Sequence, residues 1–206
     1  MGEDPSMGER MGGASAAGPP SSIVRMGLLF YGGMGIAALL WRMGTPGDSI
    51  LHPSIEAATR AWSFPAALGV GVLAGLFAVA VSEGLTRWTN LGRALSDLLA
   101  ESIGPLDRGN AWLLALASGL AEEMFFRGAI QAKVGIVWAS LAFGAAHFMP
   151  RRELVLWSAY AVVMGLGLGG LYAWTGQLAA PVAAHVVVNG INLRRLAARP
   201  SACGPS

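Results

Sequence analysis

The chain contains several long apolar runs, and the clearest of them extends from Trp62 to Val81 without a charged side chain. A helix needs about 20 apolar residues to cross the hydrocarbon core of a bilayer. Inside that core every backbone polar group must find a partner within the protein, which restricts what the chain can form there. The run therefore predicts a membrane-spanning helix and a chain that folds in lipid.

The composition agrees with a membrane protein that crosses the bilayer several times. Hydrophobic residues make up 54% of the chain and charged residues only 13%, whereas a soluble domain has about 25% charged residues. The 29 glycines suit helices that pack closely in a membrane. The net charge of +2 is too small to indicate nucleic acid as a partner, and a single cysteine, Cys203, excludes an internal disulfide framework.

Apolar runs and helical periodicity predict an all-α fold, a polytopic transmembrane bundle of about six spans with one amphipathic helix on the surface. The amphipathic helix is predicted within residues 83–109, where leucines recur at helical spacing among charged residues. Two of the six predicted spans are short, and short spans are tolerated where protein surrounds them. The predicted spans are Ile23–Trp41, Trp62–Val81, Ala111–Gln131, Gly135–Phe148, Leu154–Trp174 and Leu178–Leu193.

The basic residues predict the orientation. Outside the spans, three of them (Arg42, Arg60 and Lys133) fall on one side of the predicted membrane. Ten arginines fall on the other side, namely Arg10, Arg25, Arg87, Arg93, Arg108, Arg151, Arg152, Arg194, Arg195 and Arg199. Positive residues stay in the cytoplasm, so both termini are expected there. The preference for arginine over lysine suggests a bacterial chain, which places it in the inner, cytoplasmic membrane.

The third predicted span contains three ionisable residues, Glu122, Glu123 and Arg127. Each such side chain costs roughly 2.5–3.5 kcal/mol at the centre of a membrane helix, so a cluster of them indicates a functional site. Glu123 and Arg127 are four residues apart and can form an ion pair on one helix face. Glu122 lies about 100° around the helix. Glu122 is thereby left free to act as a general base for a water molecule.

Three further polar residues stand out in the last apolar segments. His147 follows Phe143 by four residues, and Asn189 follows His185 by four residues. Each pair is therefore expected on one side of its own helix. Together with the charged cluster, these groups could surround one water molecule and one substrate carbonyl. His52 lies in a predicted loop and receives no catalytic role.

Each of these residues also has a purely structural interpretation. The Glu123–Arg127 pair could brace helices, His147 could bond a carbonyl at the interface, and Asn189 could join two helices. An unsatisfied imidazole at the position of His185 is costly in lipid, which makes a structural role harder to accept there. The coincidence of all these groups in successive segments favours a catalytic site.

The order and spacing of these motifs resemble the CPBP intramembrane proteases, also called the CAAX protease and bacteriocin-processing, or Abi, family. The resemblance covers Ala111 to Leu193 and includes the Ser118-Gly119-Leu120-Ala121 stretch before the glutamates. It divides the chain into a disordered cytoplasmic tail (1–22), N-terminal helices with the amphipathic helix (23–110), a catalytic helical core (111–193) and a basic C-terminal tail (194–206).

The resemblance implies a role for each motif residue. Glu122 would be the general base, and His147 would help to hold the attacking water. His185 and Asn189 would donate hydrogen bonds to the oxyanion of the tetrahedral intermediate. Glu123 and Arg127 would support these groups, and Phe143 would pack beside them. No cofactor is implied.

The implied function is an intramembrane endopeptidase that cuts a membrane-associated protein or peptide near its C-terminus. Three alternatives remain open at this stage. One is a zinc-dependent variant in which Glu122, His147 and His185 are ligands, because these residue types also bind zinc. The second is a non-catalytic immunity or scaffold protein of the same fold. The third is a small transporter, which would be expected to show internal symmetry that the sequence lacks.

Overall fold

The part of the chain that the structure describes is built from helices. The computed structural model describes residues 22–44, 49–103, 106–148 and 155–198, and these ranges contain no strand. In chain order the elements are α1 (Ser22–Met43), α2 (Ile55–Thr59), α3 (Phe64–Trp88), α4 (Asn90–Ile103), α5 (Arg108–Glu123), a π-helical segment (Met124–Gln131), α6 (Ala132–Ala146), α7 (Val155–Thr175) and α8 (Ala179–Ala197). The predicted all-α fold is confirmed.

Within the described ranges, four helical stretches are long and apolar enough to cross a membrane by length and composition, namely Ser22–Met43, Phe64–Trp88, Arg108–Ala146 and Val155–Thr175. Large apolar side chains stay exposed along them, as Leu73 and Phe77 do on α3, and this is the surface expected against lipid. The third and fourth predicted spans both lie within the single stretch Arg108–Ala146. The sixth predicted span lies in α8, which is not one of these four stretches. The count of six crossings stays a prediction.

Most of the predicted tails lie outside the described residues. Of residues 1–22 only Ser22 is described, and it begins α1. The C-terminal tail starts inside α8, which continues to Ala197, and the residues after 198 lie outside the described ranges. The disorder predicted for the N-terminal tail therefore stays a prediction.

The chain reverses direction at Gly135, inside the Arg108–Ala146 stretch. The ring centroids of Phe126 and Phe143 lie 5.1 Å apart, whereas a continuous helix would separate them by roughly 25 Å at 1.5 Å per residue. Gly135 has φ +82°, a conformation that glycine adopts without a steric penalty. The reversal brings the end of α6 beside the residues that follow Glu123.

Thr89 separates α3 from the amphipathic helix. Its backbone is extended, with φ −125° and ψ 141°, and its hydroxyl oxygen accepts a hydrogen bond from the Gly92 amide at 2.9 Å. A threonine in this role is an ordinary helix N-cap. The amphipathic helix is thus α4 (Asn90–Ile103), shorter than the predicted 83–109, and residues 83–88 belong to α3. It lies against α3 and α8, and none of its residues is buried.

The loop between α1 and α3 is attached to the turn between α7 and α8. The His52 Nδ1 atom lies 2.6 Å from the Gly176 carbonyl oxygen, and the Leu178 amide donates to the Leu51 carbonyl at 2.9 Å. His52 therefore has a structural partner remote from the charged cluster.

Glycines let α3 and α8 approach each other closely. A Cβ atom added to Gly71 would lie 2.2 Å from the Ala180 carbonyl oxygen, and one added to Gly75 would lie 2.7 Å from that of Ala184. Such distances are far below van der Waals contact. Gly71 and Gly75, which are four residues apart on α3, therefore contact α8 of the same chain.

We expect Gly71→Ala to destabilise the folded protein, because the new methyl group would have to displace backbone atoms of α8. Overpacking of this kind costs about 1–3 kcal/mol. Gly69→Ala is the matched control, since a Cβ atom there would have no neighbour within 4 Å. The measurement is thermal unfolding of the purified protein in detergent. Equal unfolding temperatures for the two variants would contradict the predicted helix contact.

Candidate active site

The charged cluster lies where α5 passes into the π-helical segment. Glu123 ends α5 and Arg127 lies in the π-helical segment. Segments of this type are rare and frequently occur at functional sites. The wider π turn was not predicted from the sequence, since the spacing of the charges fits an α-helix equally well.

Glu123 and Arg127 form a buried ion pair. Arg127 Nη1 donates to Glu123 Oε1 at 3.2 Å, and Arg127 Nε lies 3.2 Å from the other carboxylate oxygen. The exposed fraction is 0% for Glu123 and 1% for Arg127. Arg127 also donates to the Gly165 carbonyl of α7 at 3.1 Å, and its guanidinium carbon lies 4.5 Å from the centre of the Phe143 ring. The ion pair predicted from the spacing is present and ties the segment to two other helices.

Glu123 has a second partner in His185 of α8. His185 Nδ1 lies 2.7 Å from Glu123 Oε1. Because an ionised carboxylate only accepts hydrogen bonds, Nδ1 must carry a proton. This contact fixes the orientation of the ring and leaves Nε2 directed towards Glu122, whose Oε2 lies 3.9 Å away.

His147 is oriented in the same way by a backbone group. Its Nδ1 donates to the carbonyl oxygen of Phe143 at 2.8 Å, since a carbonyl can only accept. Its Nε2 lies 3.8 Å from Glu122 Oε2. Both imidazoles therefore present Nε2 to the same carboxylate oxygen.

Glu122 Oε2 is buried and has no hydrogen-bond partner among the residues that the structure describes. A buried carboxylate oxygen without a partner is costly, and such a group calls for an explanation. The distances of 3.8 and 3.9 Å to the two histidines are too long for direct hydrogen bonds. They suit a water molecule that bridges the three groups. The arrangement can therefore hold and polarise one water beside a strong proton acceptor.

Tyr31 of α1 also reaches Glu122. Its hydroxyl lies close enough to the Glu122 carboxylate for the two groups to interact. The sequence contained little to single out this residue, because one tyrosine in an apolar span has no spacing that links it to residues ninety positions away. The N-terminal helices thus contribute to the site, although their motifs are not distinctive.

Asn189 lies one helical turn beyond His185 and contacts α5. Its Nδ2 donates to the Ser118 hydroxyl at 3.0 Å, and that hydroxyl donates to the Ala115 carbonyl at 3.2 Å. The sequence places Ser118 only in the stretch that flanks the glutamates and does not predict its hydrogen bond with Asn189. One amide proton of Asn189 is thereby engaged, and the predicted role at the oxyanion needs its second one.

Both imidazoles line a small cavity, whose lining residues do not include Glu122 or Glu123. The cavity has a volume of about 40 Å³, which is enough for a water molecule. The Phe143 ring forms one wall, with its centroid 4.5 Å from that of His147 and 6.0 Å from that of His185. The other lining residues are Trp157, Tyr160, Ala161, Met164, Leu168 and Val188.

The distances among Glu122, His147 and His185 differ from those in a zinc centre. In the described ranges no group of three or more His, Cys, Asp or Glu side chains is arranged to hold a metal ion. Ligands of a tetrahedral zinc, each at about 2.0–2.1 Å from the ion, lie roughly 3.3 Å from one another. Glu122 Oε2 is farther than that from both imidazoles. In this arrangement the three residues fit a bridging water better than a zinc ion.

Comparisons with known proteins find a match over the region that holds the site. Residues 106–191 match the family model described as Rce1-like, type II CAAX prenyl endopeptidase, and all seven residues singled out by the sequence lie in that range. A protein of Bacillus subtilis (strain 168), named "Uncharacterized protein YpbD", is 40% identical over 80 residues, which are 38% of this chain and 41% of that protein. The chain thus spans less than half the length of this relative. No solved structure matches.

Proposed function

We propose that the protein is a glutamate-dependent intramembrane endopeptidase, on the premise that residues 106–191 match the Rce1-like family model of type II CAAX prenyl endopeptidases. The family and the four long apolar helices indicate an integral membrane protein with a CAAX-type protease fold. The proposed substrate is a membrane-anchored protein or peptide that is cut near its C-terminus. The charge distribution supports the inner membrane of a bacterium, with both termini in the cytoplasm.

One observation carries the proposal. The buried Glu122 Oε2 has no hydrogen-bond partner, and the Nε2 atoms of His147 and His185 face it at 3.8 and 3.9 Å. Both histidines are held by Nδ1, one by the Phe143 carbonyl and one by Glu123, and both thereby direct Nε2 to one oxygen of Glu122. A water molecule among these three atoms is the reactant that peptide hydrolysis requires.

The first chemical step transfers a proton from this water to Glu122. In the neutral tautomer set by Phe143, His147 Nε2 carries a lone pair and accepts the second proton of the water in a hydrogen bond. The oxygen lone pair then points away from both groups, towards the carbonyl carbon of the substrate. As Glu122 takes the proton, the water oxygen bonds to that carbon, and the carbonyl oxygen becomes an oxyanion.

The oxyanion is stabilised by hydrogen-bond donors on α8. His185 Nε2 donates only when the ring is an imidazolium, because Nδ1 already bears a proton that is directed to Glu123. The Glu123 carboxylate offsets the positive charge of that ring, and Asn189 supplies its remaining amide proton. When the intermediate collapses, the C–N bond breaks and the proton held by Glu122 passes to the leaving amine. Bonds and protons balance without an added reactant.

We expect cleavage to survive removal of divalent metal ions. The experiment uses purified protein in liposomes with a set of membrane-anchored reporters, each with a fluorophore and a quencher on opposite sides of a C-terminal segment. Cleavage is recorded before and after treatment with a strong chelator, and the metal content of the protein is measured. If Glu122 activates the water without a metal ion, the cleavage rate should be the same before and after chelation.

Two other outcomes would contradict this proposal. Cleavage that is lost on chelation and restored by zinc would make Glu122, His147 and His185 zinc ligands. A folded protein that cleaves none of the reporters would favour the non-catalytic immunity or scaffold protein. Reporters without enzyme serve as the control for spontaneous hydrolysis.

A further inference from the structure

A second, larger cavity lies beneath the amphipathic helix. Its volume is about 250 Å³, and its walls come from the end of α3, from α4, from the start of α7 and from the end of α8. On α4 it is lined by Leu91, Leu95 and Leu99, which follow one another at intervals of four residues on one helix face. We call this cavity the α4 groove.

The α4 groove adjoins the cavity of the candidate active site. Trp157 and Tyr160 of α7 line both cavities. Trp157 lies beside His147, with ring centroids 6.0 Å apart, and is stacked on Tyr160 at 5.9 Å. A ligand in the groove would therefore reach the catalytic histidine past these two rings.

Tyr160 carries a hydroxyl that nothing in the described chain satisfies. Its oxygen is buried and has no hydrogen-bond partner. A buried hydroxyl without a partner is costly and calls for an explanation. Because the side chain lines both cavities, this hydroxyl lies where a ligand would pass from the groove to the active site.

The lining of the groove favours a peptide over a lipid chain. Polar side chains occur among the leucines, including Ser82, Thr86, Ser96 and Asn192. An ion pair stands at the wall, where Arg195 Nη1 lies 3.1 Å from Glu83 Oε2. An acyl chain has no hydrogen-bonding groups that could pair with these side chains. The amides and carbonyls of a peptide backbone, in contrast, require hydrogen-bond partners when they leave water.

We propose that the α4 groove binds an extended apolar segment of the substrate peptide on one side of the scissile bond. The leucines of α4 receive its side chains, and the Tyr160 hydroxyl bonds to a backbone group where the peptide enters the active site. This proposal rests on the proposed function for the identity of the substrate. The binding step itself is separate from the chemistry.

The test measures peptide binding to catalytically inactive protein. Full-length Glu122→Gln protein in nanodiscs is titrated with a fluorescein-labelled peptide of leucine and alanine residues. Adding Leu95→Trp should fill the groove and weaken binding at least tenfold. Leu98→Trp is the matched control, because Leu98 lies on the same helix but does not line the groove. Tyr160→Phe should weaken binding about three- to tenfold, the effect of one hydrogen bond. Thermal unfolding establishes that each variant is folded.

The outcomes separate the two proposals. Equal peptide affinity of the Leu95→Trp and Leu98→Trp proteins would overturn the proposal that the α4 groove binds the peptide. Displacement of the labelled peptide by oleate at a lower concentration than by unlabelled peptide would also overturn it. If the protein cleaves the reporters, Leu95→Trp should raise KM and leave kcat unchanged, because the groove acts in substrate binding. A protein that binds the peptide in the groove yet cleaves nothing would contradict the proposed function and leave the groove supported.

Discussion

Glu122→Gln should lower kcat/KM for a membrane-anchored reporter by roughly 10²–10⁴-fold, the range in which a general base contributes to a reaction. Glutamine keeps the size of the side chain but cannot accept the proton of the attacking water. The two histidines would still face the side chain, so binding of the reporter should be retained. The effect should therefore appear in kcat, measured as the initial cleavage rate at saturating reporter.

The same substitution should leave the folded protein intact. Glu122 Oε2 has no hydrogen-bond partner in the described chain, so an amide in its place breaks no contact of that atom. Glu56→Gln is the control, because Glu56 is exposed in the short helix α2. A Glu122→Gln protein that unfolds at the same temperature as the wild type and cleaves at the wild-type rate would show that Glu122 is not the general base.

Arg127→Met should reduce the free energy of unfolding by about 3–5 kcal/mol, which is the usual effect of removing one partner from a buried ion pair. The substitution would leave the Glu123 carboxylate in the protein interior without its guanidinium. It would also remove the hydrogen bond from Arg127 to the Gly165 carbonyl of α7. The measurement is equilibrium unfolding in mixed detergent micelles, together with the yield of folded protein.

The chain offers a matched control at the same sequence spacing. Arg87 and Glu83 are also four residues apart and 3.8 Å from each other, but the Arg87 side chain is 73% exposed. Arg87→Met should therefore cost no more than about 1 kcal/mol. The double substitution Arg127→Met with Glu123→Gln should be less damaging than Arg127→Met alone, because it removes the unpaired charge. Equal effects of Arg127→Met and Arg87→Met would contradict a stabilising role for the buried pair.

Local spacing was a sound guide wherever the interacting residues belong to one helix. Glu123 and Arg127 pair because four residues bring two side chains to the same helix face, whatever surrounds that helix. The same holds for His147, whose ring nitrogen reaches the carbonyl of Phe143 four residues earlier. The resemblance supplied the expected roles of these residues but none of the distances among them.

The exact ends of the helices, and the exact residue at which the chain turns, were harder to predict from the sequence. The sequence pattern placed Leu85 and Trp88 in the amphipathic helix, but the N-cap at Thr89 assigns both to α3. Two successive predicted spans, Ala111–Gln131 and Gly135–Phe148, imply that the chain reverses between them, but the pattern did not mark Gly135, with its φ of +82°, as the turning residue, because glycine is frequent in membrane helices whether or not the chain turns there.

The sequence by itself determined that this chain forms apolar helices, that a charged cluster is buried among them, and which helix face each motif residue occupies. These properties depend on hydropathy and on the 3.6-residue period, both of which are local. Only the tertiary structure decided that His185 bonds to Glu123, that Asn189 bonds to Ser118, and that Tyr31 reaches Glu122. Such contacts depend on how far each helix rotates and slides against its neighbours, and that is set by close packing at residues such as Gly71.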